Sequence, residues 1–345
     1  MNQLKDEQTP AFILHPSSLI PRLGFLGVGW IGRNRLEAIA TSGVAEVVAI
    51  ADPARESAAQ AAAIAPGAVV AGSLGSLLEA GVDGIVIATP SALHAEQALA
   101  ALESGMAVFC QKPLGRNAPE TCRVVDAARA ANRLLGVDLS YRFTTGMQRI
   151  RDLIRQDALG RIYAADLVFH NAYGPDKPWF YDRALSGGGC VIDLGIHLVD
   201  LALWALDNPL VVDVSGRLFG QGELLHGSSA RVEDYAVARL DLADGAVAQI
   251  ACSWKLPVGG DAVISASFYG TRGGATLRNV NGSFYDFIAE RFTGAARETL
   301  CAPPDAWSGR AVVDWATRLA AGAGFHPEIE RVCEVATILD AIYST

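Results

Sequence analysis

Several features are missing from the sequence, and each absence excludes a class of protein. Lysine and arginine form no cluster, and 28 basic residues against 37 acidic ones give a formal net charge of −9. A surface of that sign repels nucleic-acid phosphates and anionic lipid headgroups. We therefore expect no nucleic acid and no membrane as a partner, and a small molecule as the ligand.

Cysteine is scarce and scattered. The six cysteines show no Cys-x-x-Cys or Cys/His spacing of the kind that builds zinc sites or disulfide frameworks. We therefore expect no metal, and we expect free thiols, which suit a reducing cytoplasm.

Long apolar runs and targeting signals are also missing. No uninterrupted run reaches the ~18 apolar residues of a membrane span, and the N-terminus lacks a basic region followed by an apolar one. Residues 1–21 hold three prolines and a short apolar core, so we predict an N-terminal arm that is disordered or rests on a neighbouring subunit. The expected location is the cytoplasm.

What the chain does contain is a glycine turn in the setting that binds dinucleotides. A strand at 23–27 leads into the turn and a helix-forming stretch, and a second strand at 44–51 ends at Asp52. This order lets a pyrophosphate approach the helix N-terminus and places the acid on the adenosine ribose. The predicted cofactor ligands in this stretch are Gly27, Gly29, Trp30, Ile31, Gly32 and Asp52.

The acid at position 52 also bears on the choice of cofactor. A carboxylate there repels a 2′-phosphate and so favours NAD over NADP. Arg33 and Arg55 lie close enough in sequence to keep NADP possible.

Helices and short Val/Ile-rich strands then alternate as far as residue 139. This pattern predicts an α/β fold with a doubly wound parallel sheet over residues 22–142. Ligands of such sheets lie beyond the carboxyl ends of the strands, where Thr89-Pro90 and Gln111-Lys112 are expected. Lysines at strand ends are usually solvated, but here the Lys112 ammonium could stabilise negative charge on a substrate oxygen.

Three glycines at 187–189 are followed by a stretch, as far as residue 204, that predicts a helix. This helix is apolar on nearly every side. At ~100° per residue, Asp193, His197, Asp200 and Trp204 fall in one narrow stripe. Buried carboxylates need partners, so this stripe must face a cavity, a ligand or opposite charges. The plainer interpretation is that Asp193 and His197, four residues apart, satisfy each other as a structural pair.

Residues 143–345 predict a second, α+β domain. The loop 172–185 carries aromatic side chains, including Tyr173 and Trp179, whose rings suit the apolar faces of sugars but could equally pack in a core. Alternating strands between 210 and 277 predict a largely antiparallel sheet with one open face, followed by two closing helices at 308–321 and 327–343.

These residues resemble the glucose-fructose oxidoreductase and inositol dehydrogenase (Gfo/Idh/MocA) family of NAD(P)-dependent sugar and cyclitol oxidoreductases. The resemblance covers nearly all of the chain from residue 23 onward. It rests on widely separated motifs, which are the glycine turn, Thr89-Pro90, His94, the Lys-Pro that follows Gln111, Arg142-Phe143, and the glycines that precede Asp193-x-x-x-His197.

The resemblance implies an N-terminal Rossmann domain and a role for each matched residue. Lys112 is expected to contact the reacting hydroxyl and the nicotinamide ribose, His197 to be the general acid/base, and Asp193 to bind substrate or orient His197. Further cofactor contacts are expected at Thr89, Pro90, His94 and Gln111, and substrate contacts at Tyr141 and Arg142. The aromatic rings of the loop add Tyr173 and Trp179 as expected substrate contacts, independently of the resemblance. The open sheet face is expected to join subunits in a homodimer or homotetramer.

Two positions depart from the family pattern. Gln111 stands where members usually have glutamate before Lys-Pro, so the charge that would tune Lys112 is missing. Phe180 follows Trp179 where many members have an arginine near the nicotinamide.

The predicted activity is reversible hydride transfer between NAD(P) and a carbinol carbon of a sugar, cyclitol or related polyol. One alternative is an enzyme that retains NAD and uses transient oxidation to drive elimination or glycosidic cleavage. Another is a non-catalytic nucleotide-sensing regulator, which would be expected to lose Lys112 and His197.

Overall fold

The computed structural model describes residues 20–226 and 229–345. The predicted arm at 1–21 therefore lies outside the described residues, except for its last two positions.

The N-terminal half forms a parallel sheet whose strands are apolar on both faces. In the described part of the chain it has six strands in the order β3-β2-β1-β4-β5-β6, and every neighbouring pair is parallel. The strands are β1 (Arg22–Leu26), β2 (Glu46–Ala51), β3 (Val69–Val70), β4 (Gly84–Ile87), β5 (Ala107–Cys110) and β6 (Leu135–Val137). The predicted doubly wound sheet is confirmed, and its strand order reverses between β1 and β4, where ligands of such sheets bind.

The C-terminal half forms a second sheet. Its nine strands among the described residues lie in the order β15-β14-β13-β12-β7-β11-β10-β8-β9, in which β7 and β11 run parallel and the other neighbours antiparallel. The strands are β7 (Ile162–Asn171), β8 (Val211–Gly220), β9 (Glu223–Leu225), β10 (Tyr235–Leu242), β11 (Val247–Ser253), β12 (Ala262–Gly270), β13 (Gly273–Asn279), β14 (Phe287–Thr293) and β15 (Ala296–Cys301). The largely antiparallel sheet is confirmed, although the sequence did not predict β9, β14 or β15.

The α-helices connect and cover these two sheets. They are α1 (Trp30–Ser42), α2 (Arg55–Ile64), α3 (Leu74–Leu78), α4 (Ser91–Glu103), α5 (Ala118–Ala131), α6 (Thr145–Arg155), α7 (Arg183–Ser186), α8 (Ile196–Ala205), α9 (Arg310–Ala320) and α10 (Arg331–Tyr343). Helix α8 is buried at every residue and packs between the second sheet and α10, so the helix predicted to be apolar all round is present.

Helix α9 joins the two halves. It lies in the predicted second domain, but its apolar face packs on the first sheet, where the Trp315 ring lies 5.7 Å from that of Phe109. Val312 and Ala316 are buried in the same cluster as the strand residues. The boundary at 142/143 stays a prediction, and the core of the first domain extends across it.

One helical stretch in the described part of the chain has the length and hydropathy of a membrane span. It runs from Arg183 to Ala205 and includes α7, a π-helical turn at Val191–Gly195 and α8. Because 94% of its most apolar window is buried inside the protein, it has the surroundings of a core helix.

Candidate active site

The glycine turn leaves an open helix N-terminus at the edge of the first sheet. Gly27 has a φ of 83°, and a Cβ there would lie 2.7 Å from the backbone of Ala88, so the position requires glycine. At Gly29 a Cβ would meet none of the described atoms within 4 Å. Helix α1 also has no side-chain cap from the described residues and no acid in its first turn. Free N–H groups beside open space fit the pyrophosphate of a dinucleotide.

Asp52 ties the end of β2 to this turn. Its Oδ2 accepts a hydrogen bond from the N–H of Val28 at 2.7 Å, and its Oδ1 accepts one from the N–H of Ala54 at 2.8 Å. Each carboxylate oxygen keeps a second lone pair. The predicted contact between Asp52 and a ribose hydroxyl therefore remains available. Trp30, at the start of α1, is 59% exposed.

His94 connects the loops that follow β4 and β5. Its Nδ1 lies 2.7 Å from the carbonyl oxygen of Pro113, and its Nε2 lies 2.7 Å from that of Thr89. The side chain is buried, with both ring nitrogens facing the backbone. His94 therefore holds these two loops together and has no ring nitrogen left for a ligand. Cofactor contacts from Thr89 and Pro90 stay predictions.

Lys112, at the end of β5, is paired with Asp193 across the junction of the two halves. Its Nζ donates to Asp193 Oδ1 at 2.6 Å and to the Asp193 carbonyl oxygen at 2.8 Å. The side chains keep 19% and 16% of their surface exposed. The ammonium is thus held in place by its partner, and its side chain remains partly exposed.

Trp254, at the end of β11, completes this arrangement. Its Nε1 donates to Asp193 Oδ2 at 3.0 Å, so both carboxylate oxygens of Asp193 have a donor. No hydrogen bond joins Asp193 to His197 within the described ranges, which disfavours the interpretation of these two as a structural pair. The sequence did not indicate Trp254, because the acceptor that its indole N–H needs lies 61 positions away.

His197 lies on the first turn of α8, and its imidazole is 7% exposed. Its Nδ1 is buried and has no hydrogen-bond partner among the residues described. Burial, and then the charges of Lys112 and Arg35, hold the pKa of His197 well below its ordinary value of 6.5. The imidazole is therefore neutral near pH 7 and able to accept a proton.

Tyr141 contacts His197 from the loop after β6. The two ring centroids are 4.9 Å apart at an angle of 69°. Tyr141 is buried, and burial raises the pKa of its phenol far above neutrality. The structure therefore places Tyr141 as a wall of the imidazole pocket, while its predicted substrate contact stays a prediction.

Arg142 forms an ion pair with Asp200, which lies farther along the predicted stripe. Its Nε donates to Asp200 Oδ2 at 2.8 Å, and Nη2 donates to Oδ1, so the pair is bidentate. Trp204 lies under the guanidinium of Arg151, 4.2 Å from its ring centroid. The stripe thus faces opposite charges, as predicted, but Arg142 and Trp204 line a separate cavity of about 220 Å³ that includes neither Lys112 nor His197. Substrate binding by Arg142 stays a prediction.

The aromatic loop is joined to the site through Trp254. Trp179 stacks on Phe180 at 3.8 Å between centroids, and Phe180 and Tyr181 both meet the Trp254 ring edge-on. Tyr173 is 56% exposed and donates its hydroxyl to Asp261. Phe180 is one of the two departures from the family pattern. It packs against the indole that donates a hydrogen bond to Asp193.

Glu233 holds the start of the helical stretch that carries Asp193 and His197. Its buried Oε1 accepts from the N–H groups of Gly189 and Val191 at 3.0 and 2.9 Å, and from the Tyr343 hydroxyl at 2.7 Å. A Cβ at Gly189 would lie 1.9 Å from the Glu233 carbonyl oxygen, so a larger residue cannot replace this glycine. Glu233 could not be predicted from the sequence, because its partners lie more than 40 residues away.

In the described part of the chain, the cysteines and the possible metal ligands form neither disulfides nor a metal-binding cluster. All six cysteines are free thiols, although Cys190 and Cys252 lie in contact. No group of three or more His, Cys, Asp or Glu side chains at the described positions could hold a metal ion.

Curated relatives share the sequence over much of its length. The rhizopine catabolism protein MocA of Rhizobium meliloti is 30% identical over 258 residues, which cover 74% of this chain and 78% of that protein. An inositol 2-dehydrogenase of Acidiphilium cryptum is 33% identical over 65% of this chain, and the D-glucoside 3-dehydrogenase of Escherichia coli is 29% identical over 56%. The chain spans 64% and 58% of these last two proteins, less than two thirds of either.

Solved structures share the fold. Levoglucosan dehydrogenase in complex with NADH and L-sorbose superimposes with a TM-score of 0.80 at 22% identity, covering 94% of this chain and 96% of that one. The 3-ketoreductase KijD10 of Actinomadura kijaniata, solved with NADP and TDP-benzene, gives 0.79 at 21% identity over 93% and 96%.

Family models match both halves of the chain. Residues 21–139 match the model described as the oxidoreductase family with an NAD-binding Rossmann fold, and residues 147–276 match the GFO/IDH/MocA C-terminal domain. The first match contains the glycine turn and Lys112, and the second contains Asp193, His197 and Trp254. With both domains matched and the MocA protein aligned over most of its length, the chain belongs to the GFO/IDH/MocA family of oxidoreductases.

Proposed function

We propose that this protein is an NAD-dependent dehydrogenase or reductase that acts on a carbinol carbon of a sugar, cyclitol or related polyol. The observation that carries the proposal is the meeting of Lys112 and Asp193, beside a neutral His197, at the ligand-binding edge of the parallel sheet. The cited relatives include enzymes named for inositol and glucosides, which supports this substrate class.

The residues divide the proton chemistry between them. In the oxidative direction, the substrate hydroxyl gives its proton to His197 Nε2 as the carbinol C–H bond breaks and the carbonyl forms. The Lys112 ammonium stabilises negative charge that develops on the same oxygen, and Asp193 keeps Nζ in place. In the reductive direction His197 returns the proton.

The cofactor residues fit NAD. The open position at Gly29 and the uncapped α1 N-terminus would hold the pyrophosphate, and Asp52 would accept the adenosine ribose hydroxyls. When bound, NAD supplies the hydride acceptor, and NADH the donor. Asp52 also disfavours a 2′-phosphate, so we expect NAD to be used in preference to NADP.

A screen of sugars, cyclitols and their keto forms against NAD(H) and NADP(H), followed by absorbance at 340 nm, tests the activity. With the best substrate, Lys112→Met and His197→Ala should each lose at least about 100-fold in kcat, because each removes a group that acts on the reacting oxygen. NADH affinity should stay near that of the wild type.

Arg272→Met is the control for Lys112. The Arg272 side chain is 59% exposed and pairs with Asp157 on the surface, so its loss should leave turnover unchanged. Unchanged turnover in Lys112→Met would contradict the proposal. Product formation without net NADH would instead support the enzyme that retains NAD and uses transient oxidation.

We also propose that the protein is a cytoplasmic homodimer or homotetramer joined through the outer face of the second sheet. That face carries exposed apolar side chains, including Val237 on β10 and Val263 on β12. Free thiols at all six cysteines suit a reducing compartment.

A further inference from the structure

Three polar side chains from separate elements meet next to the predicted cofactor edge. Arg35 of α1 donates through Nε to Asp138 Oδ2 at 2.5 Å, and Gln111, directly before Lys112, donates through Nε2 to the same oxygen. Arg35 is 5% exposed and Asp138 is 1% exposed. A buried ion pair of this kind costs desolvation energy that its mutual attraction repays only in part.

The hydrogen bonding of this cluster is incomplete. Asp138 Oδ1 is buried and has no hydrogen-bond partner in residues 20–226 or 229–345. An unpaired buried acceptor destabilises the folded state, so a cluster that served stability alone would be expected to satisfy it.

The carboxylate of Asp138 fixes the orientation of the Gln111 amide. A carboxylate can only accept, so Gln111 must present its NH₂ group to Asp138. The amide cannot rotate by 180° without placing its carbonyl oxygen against the carboxylate. Gln111 Oε1, which has no hydrogen-bond donor among the described residues, is then the atom left for a ligand.

We propose that Arg35 and Asp138 are positioning residues that lock the Gln111 amide so that its Oε1 accepts a hydroxyl of the ribose next to the nicotinamide. This inference rests on the proposed function, because it assigns residues to the same cofactor site. It also bears on the first departure from the family pattern, because the amide at position 111 contacts the carboxylate of Asp138.

Ligand binding by calorimetry separates positioning from stability. ADP-ribose contains the ribose in question, whereas AMP contains only the adenosine end. Asp138→Asn gives Gln111 a neighbour that can donate as well as accept, so the amide is free to turn. We expect its affinity for ADP-ribose and NADH to fall about 5- to 10-fold, while its affinity for AMP stays unchanged.

A second variant acts without disturbing the ion pair, in case Asp138→Asn does not fold. Gln111→Met keeps the length of the side chain and removes the acceptor, so it should show the same selective loss for ADP-ribose. Gln111→Glu alone places a second carboxylate against that of Asp138 and should also weaken ADP-ribose binding. The double variant Gln111→Glu/Asp138→Asn restores one carboxylate and one amide, and should return the affinity to within about 2-fold of the wild type.

Glu290→Gln is the matched control. Glu290 is a buried carboxylate on β14 that pairs with Arg278 at 3.0 Å, far along the chain in the other sheet. It should leave both affinities unchanged.

Equal losses of AMP and ADP-ribose affinity in Asp138→Asn and Gln111→Met would overturn the inference, and so would no loss in either variant. Additive losses in the double variant would also overturn it. A wild type that binds ADP-ribose but turns over no polyol would contradict the proposed activity and leave this inference intact.

Discussion

At the scale of single residues, the site depends on how the charge of Lys112 is held. Asp193 contacts the ammonium through one carboxylate oxygen, and Trp254 occupies the other. The sequence indicated Lys112 and Asp193, because a strand end and a buried helix are recognisable locally. It could not indicate Trp254 or Asp138, whose contacts join residues 61 and 27 positions apart.

Trp254→Phe tests this support. The variant keeps an aromatic ring and removes the N–H that donates to Asp193 Oδ2, so Asp193 can turn away from Lys112. We expect kcat to fall about tenfold, as for one lost hydrogen bond to a charged group, with NADH affinity unchanged. Trp315→Phe is the control, since the Trp315 indole has no hydrogen-bond partner among the described residues. Equal kinetics in the two variants would contradict this role for Trp254.

The pH dependence of kcat/KM tests the state of His197. Burial holds its pKa below 6.5 in the folded protein, so the imidazole binds a proton only at more acid pH than a free histidine. The oxidative reaction needs the neutral form. We therefore expect activity to be lost only as the pH falls below 6.5, along an acid limb. A limb centred above pH 6.5 that reports on His197 would show that the imidazole is not buried in this way.

At the scale of elements, the helical stretch that carries Asp193 and His197 shows what the sequence could and could not predict. Its length and burial followed from its apolar residues. The spacing of ~100° per residue did not allow for the π-helical turn at Val191–Gly195, which changes the direction of Asp193 relative to an α-helix. Strand β15 was not predicted because it is a largely exposed edge strand without an apolar face.

Glu233 anchors this helical stretch, so replacing it should lower the stability of the folded protein. Glu233→Ala leaves the N–H groups of Gly189 and Val191 and the Tyr343 hydroxyl without their acceptor. We expect the free energy of unfolding, measured by urea denaturation, to fall by about 2–4 kcal/mol. Glu223→Ala, at a surface pair with Arg231, should change it by less than about 0.5 kcal/mol. Similar losses in both variants would refute the anchoring role.

At the scale of the whole molecule, the two halves are interlocked. Lys112 and Asp193 join them at the site, and α9 returns from the C-terminal half to cover the first sheet. The sequence predicted both sheets but not this return, because the apolar face of α9 could have packed on either of them. The interlocking holds the residues after β5 beside the helical stretch that carries Asp193 and His197.

Association of subunits is the prediction that belongs to this scale. Val237→Lys and Val263→Lys place charges on the outer face of the second sheet. If that face joins subunits, light scattering should show a shift from the oligomer towards a monomer of 36.3 kDa. Leu210→Lys, at an exposed position just before β8, is the control and should not change the mass. A wild type that is itself monomeric would contradict the expected assembly.

A crystal structure of the wild type with NADH tests the central claim most directly. We expect the pyrophosphate at the N-terminus of α1 and the nicotinamide ring between Lys112 and His197, with His197 Nε2 facing the space beside the ring. A nicotinamide ring bound elsewhere, or a His197 imidazole closed off from it by protein, would contradict the proposed activity.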